Sequence, residues 1–250
     1  MKNKGLLVAF LAVMALCSAK AFSADTPSAS DILARSDEIR NPQADYSLDV
    51  KITSVKPGRA DALSSYEVLV SGRDRTIVRT LTPPIDRGRV ILMLGKDLWA
   101  YLPNLAKPLR ISLRERLTGD VANGDIARAN FVGDYTPELV RTEDIDGKTY
   151  LVLELKANAE DVTYSKVMLW LEKDTDNPLK AEFYAVSGRL LKTCSYEDFR
   201  EFGGEVRPTR VVMMDAVVKG QQSVLEYSNI DIKPIPEKYF TKDYMKKLSD

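Results

Sequence analysis

Residues 46–53 of the chain have the sequence Tyr-Ser-Leu-Asp-Val-Lys-Ile-Thr, in which apolar and polar side chains alternate strictly. Successive side chains of a β-strand point to opposite faces, so this period of two predicts a strand with one buried face. The pattern recurs at 66–70 and 76–81. Further strands are predicted at 88–94, 97–103, 139–144, 148–156, 165–173, 179–186, 190–199, 206–217 and 222–232.

Short turn sequences separate these strands, such as Asp146-Gly147 and Gly203-Gly204. Many strands joined by tight turns predict an antiparallel sheet in which neighbours in sequence are neighbours in space. Residues 29–40 are predicted to form an amphipathic helix after Ser28, and 241–248 a short final helix. Residues 113–137 form a long interruption with a short helix at 125–129, and a connection of this length usually covers an opening or has a function.

The first residues are typical of a secretory signal peptide. Lys2 and Lys4 precede an apolar run from Leu6 to Leu16, and Ala19-Lys20-Ala21 gives a small-x-small cleavage pattern. The run is too short for a stable membrane span. The sequence predicts a signal peptide at 1–21, with cleavage after residue 23 or 24 as an alternative, a periplasmic location, and one domain over 25–250.

Composition excludes several classes of function. Removing residues 1–21 takes away three of the 36 basic residues and none of the 36 acidic ones, so the remaining chain has a net charge near −3. Such a balance argues against a nucleic-acid partner. The chain has no histidine, which excludes Ser-His-Asp and Cys-His catalysis and the commonest zinc ligand. Cys194 is the only cysteine after cleavage, so no internal disulfide is expected.

The stretch 95–103, Gly-Lys-Asp-Leu-Trp-Ala-Tyr-Leu-Pro, combines a turn with an aromatic strand. Trp99 and Tyr101 fall on one face, where they either fill a core or cover apolar cargo. The stretch resembles the G-K-x-L-W-x-Y-x-P hairpin of the LolA-like superfamily, and the wider chain is similar to its outer-membrane lipoprotein-sorting group. The Pro84-x-Asp86-x-Gly88 element, Arg110-Ile111 and a partial match at Gly119-Asp120 and Asp125-Ile126 extend the resemblance. Later matching positions are Trp170, Pro178, Gly188, Leu191, Lys192, Tyr196, Pro208 and Phe240.

The resemblance implies a mainly β fold in which one curved antiparallel sheet forms a half-open, incomplete barrel over a few helices. It also implies an apolar cavity that shelters acyl chains, with no catalytic step, cofactor or metal. The family is associated with a basic residue inside this cavity, and Arg79 is the candidate, because it shares a face with Ile77 and Leu81. The alternative for Arg79 is a partly exposed sheet edge. The predicted cavity residues are Trp99, Tyr101, Leu92, Leu94, Phe131, Trp170 and Arg79.

The predicted function is that of a periplasmic carrier or chaperone that binds the acyl chains of lipoproteins or another amphiphile for outer-membrane lipoprotein sorting. Its expected partners are this lipid cargo and an inner-membrane transporter, and its contact with membranes is expected to be transient. The alternative is a lipid-binding accessory protein of a resistance-nodulation-type envelope exporter. An enzyme that acts through paired carboxylates is a third and weaker hypothesis.

Overall fold

The computed structural model describes residues 27–249, so the predicted signal peptide lies outside the described residues. Fifteen strands and three α-helices follow in chain order. The helices are α1 (Ala29–Arg40), α2 (Asn123–Ala127) and α3 (Lys242–Ser249), and short 3-10 turns occupy Pro84–Asp86 and Glu237–Tyr239. No helix within residues 27–249 combines the length and the apolar character that a membrane crossing requires.

Thirteen strands form one antiparallel sheet in the order β6-β5-β4-β3-β2-β1-β15-β14-β13-β12-β11-β10-β9. The strands are β1 (Tyr46–Val55), β2 (Ala62–Ser71), β3 (Arg75–Thr82), β4 (Val90–Leu94), β5 (Asp97–Tyr101), β6 (Leu109–Ile111), β9 (Tyr135–Ile145), β10 (Lys148–Ala157), β11 (Lys166–Glu172), β12 (Pro178–Tyr184), β13 (Leu190–Phe202), β14 (Glu205–Asp215) and β15 (Gln222–Ile232). Strands β6 and β9 each have one neighbour, so the sheet is not closed into a barrel. The half-open, mainly β fold expected from the sequence is confirmed.

The inner face of the sheet carries the main hydrophobic core. Ile52, Val68, Leu153, Leu169 and Leu225 are fully or almost fully buried there. Burying such a side chain contributes about 1.5–3 kcal/mol, so this face accounts for a large share of the driving force for folding.

Two elements pack on this inner face. One is helix α1, and the other is residues 112–134, which we call the cover. The cover contains the two-stranded sheet of β7 (Arg116–Thr118) and β8 (Val121–Ala122), followed by α2. The cover lies very close to its neighbours at two glycines. A Cβ on Gly119 would overlap the hydroxyls of Ser54 and Ser223, and one on Gly124 would overlap Thr163.

The boundaries of α1 follow from local chemistry. The Ser28 hydroxyl accepts a hydrogen bond from the Asp31 amide, and the Asp31 carboxylate accepts one from the Ser28 amide. This capping box satisfies amides that the first helical turn leaves free. The predicted helix at 29–40 is confirmed. The helix predicted at 125–129 begins at Asn123, and the one predicted at 241–248 ends at Ser249.

The C-terminal residues 235–249 cover the outer face of β3, β4 and β5. Ile235, Phe240 and Met245 pack there against Ile77 and Leu92 in a second, separate cluster. The sheet is therefore apolar on both faces along these three strands.

Candidate functional site

Two adjoining cavities lie between the inner face of the sheet and the two elements above it, α1 and the cover. Their volumes are about 80 and 60 Å³. The residues that contribute to both are Arg40, Asn41, Asp125, Ala129, Pro208 and Tyr227. Both volumes are well below the roughly 300–1,000 Å³ of a typical ligand pocket.

The floor of the larger cavity is formed by side chains that alternate along the central strands. It comprises Phe183 from β12, Cys194 and Tyr196 from β13, Val211 and Met213 from β14, and Tyr227 from β15. The smaller cavity continues over β1 and β2, where Leu48, Val50, Val68 and Val70 line it. The smaller cavity is lined mainly by aliphatic and aromatic side chains, whereas the lining of the larger one also includes the charged side chains of Arg40, Asp125, Arg128 and Asp134.

Asp37, near the end of α1, attaches this helix to the cover. Its side chain is buried, and Oδ2 accepts hydrogen bonds from the amides of Phe131 and Val132, both at 2.8 Å. Oδ1 forms an ion pair with Arg40. The buried Asp37 carboxylate therefore accepts hydrogen bonds from two backbone amides of the cover and pairs with the Arg40 guanidinium.

Arg40 extends from the last turn of α1 into both cavities. Its Nη1 donates to the carbonyl oxygen of Ala129 at 2.8 Å, and its guanidinium lies 4.3 Å from the centre of the Phe131 ring. The side chain is 7% exposed, and its Nε has no hydrogen-bond partner among residues 27–249. Arg40 thus brings a cation to both cavities, and its Nε–H is a buried donor without an acceptor among the described residues.

Arg207 lies on the other side of α1, at the start of β14. Its Nη1 donates to the carbonyl oxygens of Glu38 and, at 3.0 Å, Ile39, which belong to the negative end of the helix dipole. It forms no ion pair within the described part of the chain, and its Nε is buried without a partner. Desolvation lowers the pKa of Arg207, and Glu205 partly opposes this shift.

Asp125, which lines both cavities, forms a buried ion pair with Lys192. Tyr164 donates a hydrogen bond to Asp125 at 2.7 Å, and Lys192 also donates to the carbonyl oxygen of Asp120 at 2.8 Å. Burial raises the pKa of Tyr164, and the Asp125 charge raises it further. Beyond this pair lies an open depression of about 210 Å³, to which Arg114 and Arg116 contribute. The pair thus separates the cavities from this depression.

Cys194 lines the larger cavity with a buried thiol. Desolvation raises its pKa to about 11, and the neighbouring Lys192 charge opposes the increase. The thiol is therefore protonated at neutral pH and is a poor nucleophile in this state.

Of the seven predicted cavity residues, Phe131 is the one that lines a cavity, where its ring packs against Arg40 and Tyr135. Four others lie on the outer face. Leu92 and Tyr101 are buried under the C-terminal residues, and Leu94 and Trp99 pack at the edge of the same cluster. The Lys242 ammonium covers the Trp99 ring. Trp99 and Tyr101 do share one face, as predicted, but it is the face away from the cavities.

Trp170 and Arg79 also lie on the outer face. Trp170 packs with Tyr150, Val152 and Met168, and its indole N–H donates to Glu143 at 2.9 Å. Arg79 forms a half-exposed ion pair with Glu67 at 2.9 Å on the neighbouring strand. The expectation that Arg79 points inward is wrong. Its neighbour Ile77 is apolar because residues 235–249 cover that part of the outer face.

The buried cations that sequence reasoning missed are Arg40 and Arg207, while Lys192 was matched to the family pattern without a place near the cavities. Arg207 carried a usable signal, because it has the same alternation phase as Thr209, Val211 and Met213, which is the phase of the inner face. Arg40 carried no comparable signal, since an arginine in the last turn of a helix usually serves the helix dipole from the surface.

The site has no arrangement that indicates a metal centre. Within residues 27–249, no group of three or more Cys, Asp and Glu side chains is placed to hold a metal ion. The two carboxylates that line the larger cavity, Asp125 and Asp134, are in ion pairs with Lys192 and Arg128.

Comparison with known proteins identifies the family. A family model described as an uncharacterized protein matches residues 72–247. The LolA superfamily protein NE2245 from Nitrosomonas europaea is 50% identical, with 88% of this chain and all of that chain covered and a TM-score of 0.85. No curated protein matches the chain.

Two further solved structures share the fold at lower identity. A DUF1329 family protein from Desulfovibrio piger is 23% identical with a TM-score of 0.75, over 87% of this chain and 97% of that one. A domain described as an outer membrane lipoprotein-sorting protein from Vibrio parahaemolyticus is 22% identical with a TM-score of 0.74, over 87% and 98%. The matched family model and the 50% identity to NE2245 together establish that this chain belongs to the LolA superfamily.

Proposed function

We propose that the protein is a periplasmic carrier that shelters the acyl chains of lipoproteins, or of another amphiphile, between the inner face of its sheet and the cover. The observation that carries this proposal is the pair of adjoining, mainly apolar cavities at that place. The similarity to the LolA superfamily protein NE2245 supports the fold on which this proposal rests.

The proposal includes a division of the chain into a signal peptide at 1–21 and one binding domain over 25–250. Strand β1, near the start of the described chain, pairs along its length with β15, near the end. This pairing joins an early and a late segment of the described residues in one sheet and supports a single domain.

Cargo binding requires α1 and the cover to move apart, because cavities of about 80 and 60 Å³ are much smaller than the roughly 300–1,000 Å³ of a ligand pocket. The polar attachments of α1 near the cavities are hydrogen bonds from Phe131, Val132 and Arg207 to α1 and one from Arg40 to Ala129, and a typical hydrogen bond contributes about 1 kcal/mol net. A dozen buried methylenes would contribute about 10 kcal/mol. An acyl chain can therefore offset the loss of these attachments, while the sheet ladder stays intact.

The polar groups in the cavity are suited to the junction of an acyl chain with its head group. The Nε–H groups of Arg40 and Arg207 have no acceptor within residues 27–249. An ester carbonyl or a carboxylate could accept from either one. The proposed role is binding and release without catalysis or a cofactor, with an inner-membrane transporter as the partner that loads or receives the cargo.

A fluorescent fatty-acid probe tests this function directly. Val70 lines the smaller cavity, whereas Val224 lies on the outer face of β15, and both side chains are half-buried. We expect Val70→Phe to fill the cavity and weaken probe binding at least tenfold, while Val224→Phe leaves it within twofold. Absence of probe binding by the wild-type protein, or equal weakening by both variants with unchanged thermal midpoints, would refute the proposal.

A further inference from the structure

Three neighbouring hairpin turns, all on the same side of the sheet at the ends of its strands, form a surface that is both cationic and apolar. They are residues 56–61 between β1 and β2, 216–221 between β14 and β15, and 185–189 between β12 and β13, and we call them the three-turn edge. The strands that they connect are consecutive in the sheet. The turns are also close in space. A Cβ on Gly220 would lie 3.5 Å from Pro57, and the amide of Ala216 donates to the carbonyl oxygen of Leu191.

The apolar part of this surface consists of unusually exposed aliphatic side chains. Val186 is 78% exposed and Val217 is 73% exposed, and Val218 is exposed beside them. The next turn along the same edge, between β3 and β4, adds Ile85, which is 91% exposed. Scattered exposed apolar residues need no explanation, but a group of them at adjacent tips indicates a contact surface.

The charges of the three-turn edge are strongly unbalanced. Lys56, Arg59, Arg189 and Lys219 lie in it, against one acidic residue, Asp61. None of these four cations is in an ion pair with another described residue. The full chain has equal numbers of basic and acidic residues, so this local excess is a property of the surface.

The opposite edge of the sheet differs in charge. Its turns at 72–74, 95–96, 146–147, 173–177 and 203–204 contain three basic and four acidic residues. The three-turn edge is thus basic and has protruding valines, whereas the turns at the opposite ends of the strands have a slight acidic excess.

We infer that the three-turn edge docks on the surface of an anionic lipid bilayer, with Val186 and Val217 inserted between the head groups. Each Lys or Arg near such a surface favours binding by about fivefold, and the valines add apolar burial. A partner bound by charge alone would leave the exposed valines without a role. A partner bound by apolar contact alone would leave without a role the four cations that have no ion pair among the described residues. This inference goes beyond the proposed function, because it concerns where the carrier meets a membrane rather than what its cavity holds.

The open depression lies beside this edge. It is lined by Asp215 and Leu191, which adjoin the turns, and by Lys192, whose ion pair with Asp125 lies between the depression and the cavities. Docking by the three-turn edge would therefore bring this end of the carrier next to the bilayer.

Sedimentation with lipid vesicles tests the inference on the chain without residues 1–21. The vesicles are phosphatidylcholine alone and phosphatidylcholine mixed with phosphatidylglycerol. We expect binding to the mixed vesicles only, and loss of this binding in high salt. The double variant Arg59→Glu/Lys219→Glu should weaken it more than tenfold, and Val186→Asn/Val217→Asn severalfold.

Matched variants at the opposite edge provide the control. Val206 is 56% exposed and Lys173 is exposed without an ion pair among the described residues. Val206→Asn and Lys173→Glu should leave vesicle binding within twofold. Absence of binding to mixed vesicles, equal binding to both vesicles, or equal losses at the two edges would overturn the inference. Fatty-acid probe binding, measured on the same variants, should stay unchanged, so a failure here is distinguishable from a failure of the proposed function.

Discussion

At the scale of single residues, buried charges hold α1 to the cover. Asp37 and Arg40 form an ion pair that is almost fully withdrawn from water. Removing one partner of a buried pair usually costs about 3–5 kcal/mol, because the other charge is left uncompensated.

We expect Asp37→Asn to lower the free energy of unfolding by about 3 kcal/mol, since it leaves the Arg40 guanidinium buried without a counter-charge. The double variant Asp37→Asn/Arg40→Gln should lose less than the sum of the two single variants. Urea unfolding measures both effects. The exposed pair of Lys51 and Glu226 is the control, and Glu226→Gln should cost under about 1 kcal/mol. Additive losses from Asp37 and Arg40 would contradict this description.

Cys194 reports on the opening of the cavity. Its pKa is about 11 in the folded protein against 9.0 for a free thiol. Ionisation alone therefore slows labelling at pH 8 by about a hundredfold, because only the thiolate reacts. The fold favours the protonated thiol, so this stabilisation is complete below pH 9 and is lost as the pH rises through 11.

We expect Arg207→Met to accelerate the labelling of Cys194 by a small maleimide, because the substitution removes two hydrogen bonds that hold the end of α1. Arg210→Met is the matched control. Arg210 lies on the same strand but pairs with Glu197 on the outer face, so labelling should not change. Equal acceleration by both variants would mean that labelling follows general destabilisation rather than opening of the cavity.

At the scale of elements, the two faces of β3, β4 and β5 serve different purposes. The inner face belongs to the main core, and the outer face is buried under residues 235–249. Sequence alternation separates the two faces but does not say which one meets the cavity. For this reason Leu92, Leu94, Trp99 and Tyr101 were predictable as apolar positions on one face, but not as residues under a C-terminal helix.

Substitution at Met245 tests this separation. Its side chain is fully buried against the outer cluster, so Met245→Ala should lower the free energy of unfolding by about 2–4 kcal/mol. The same variant should keep its affinity for the fatty-acid probe within twofold, as measured by titration. A strong loss of probe affinity in a folded Met245→Ala protein would place the binding site on the outer face, beside Trp99.

Local patterns were sufficient for most elements. The alternation at 46–53 and the capping sequence after Ser28 predict β1 and α1 close to their observed bounds. The cover was predictable as a long interruption with one short helix, but the pairing of β7 with β8 was not, because their two or three residues are too few to show a period. The cover lies close to Ser54 and Thr163 because Gly119 and Gly124 have no side chain. The sequence alone does not show these contacts.

At the scale of the whole molecule, the proposed function depends on a sheet that stays open. Strands β6 and β9 have one neighbour each, and α1 and the cover lie over the inner face rather than completing the ladder. These elements can move without breaking the hydrogen bonds of the thirteen-stranded sheet. A long apolar chain can then replace contacts made by Phe131 and its neighbours with the central strands.

The proposed function requires an acyl chain to occupy the space between the inner face of the sheet and the cover. The most direct measurement is mass spectrometry of organic-solvent extracts from protein purified from the periplasm without detergent, with Val70→Phe prepared in parallel. We predict close to one acyl-chain lipid or acylated protein per wild-type molecule and a clear loss in Val70→Phe. Extracts without acyl lipid from the wild-type protein, or the same amount from both proteins, would contradict the account.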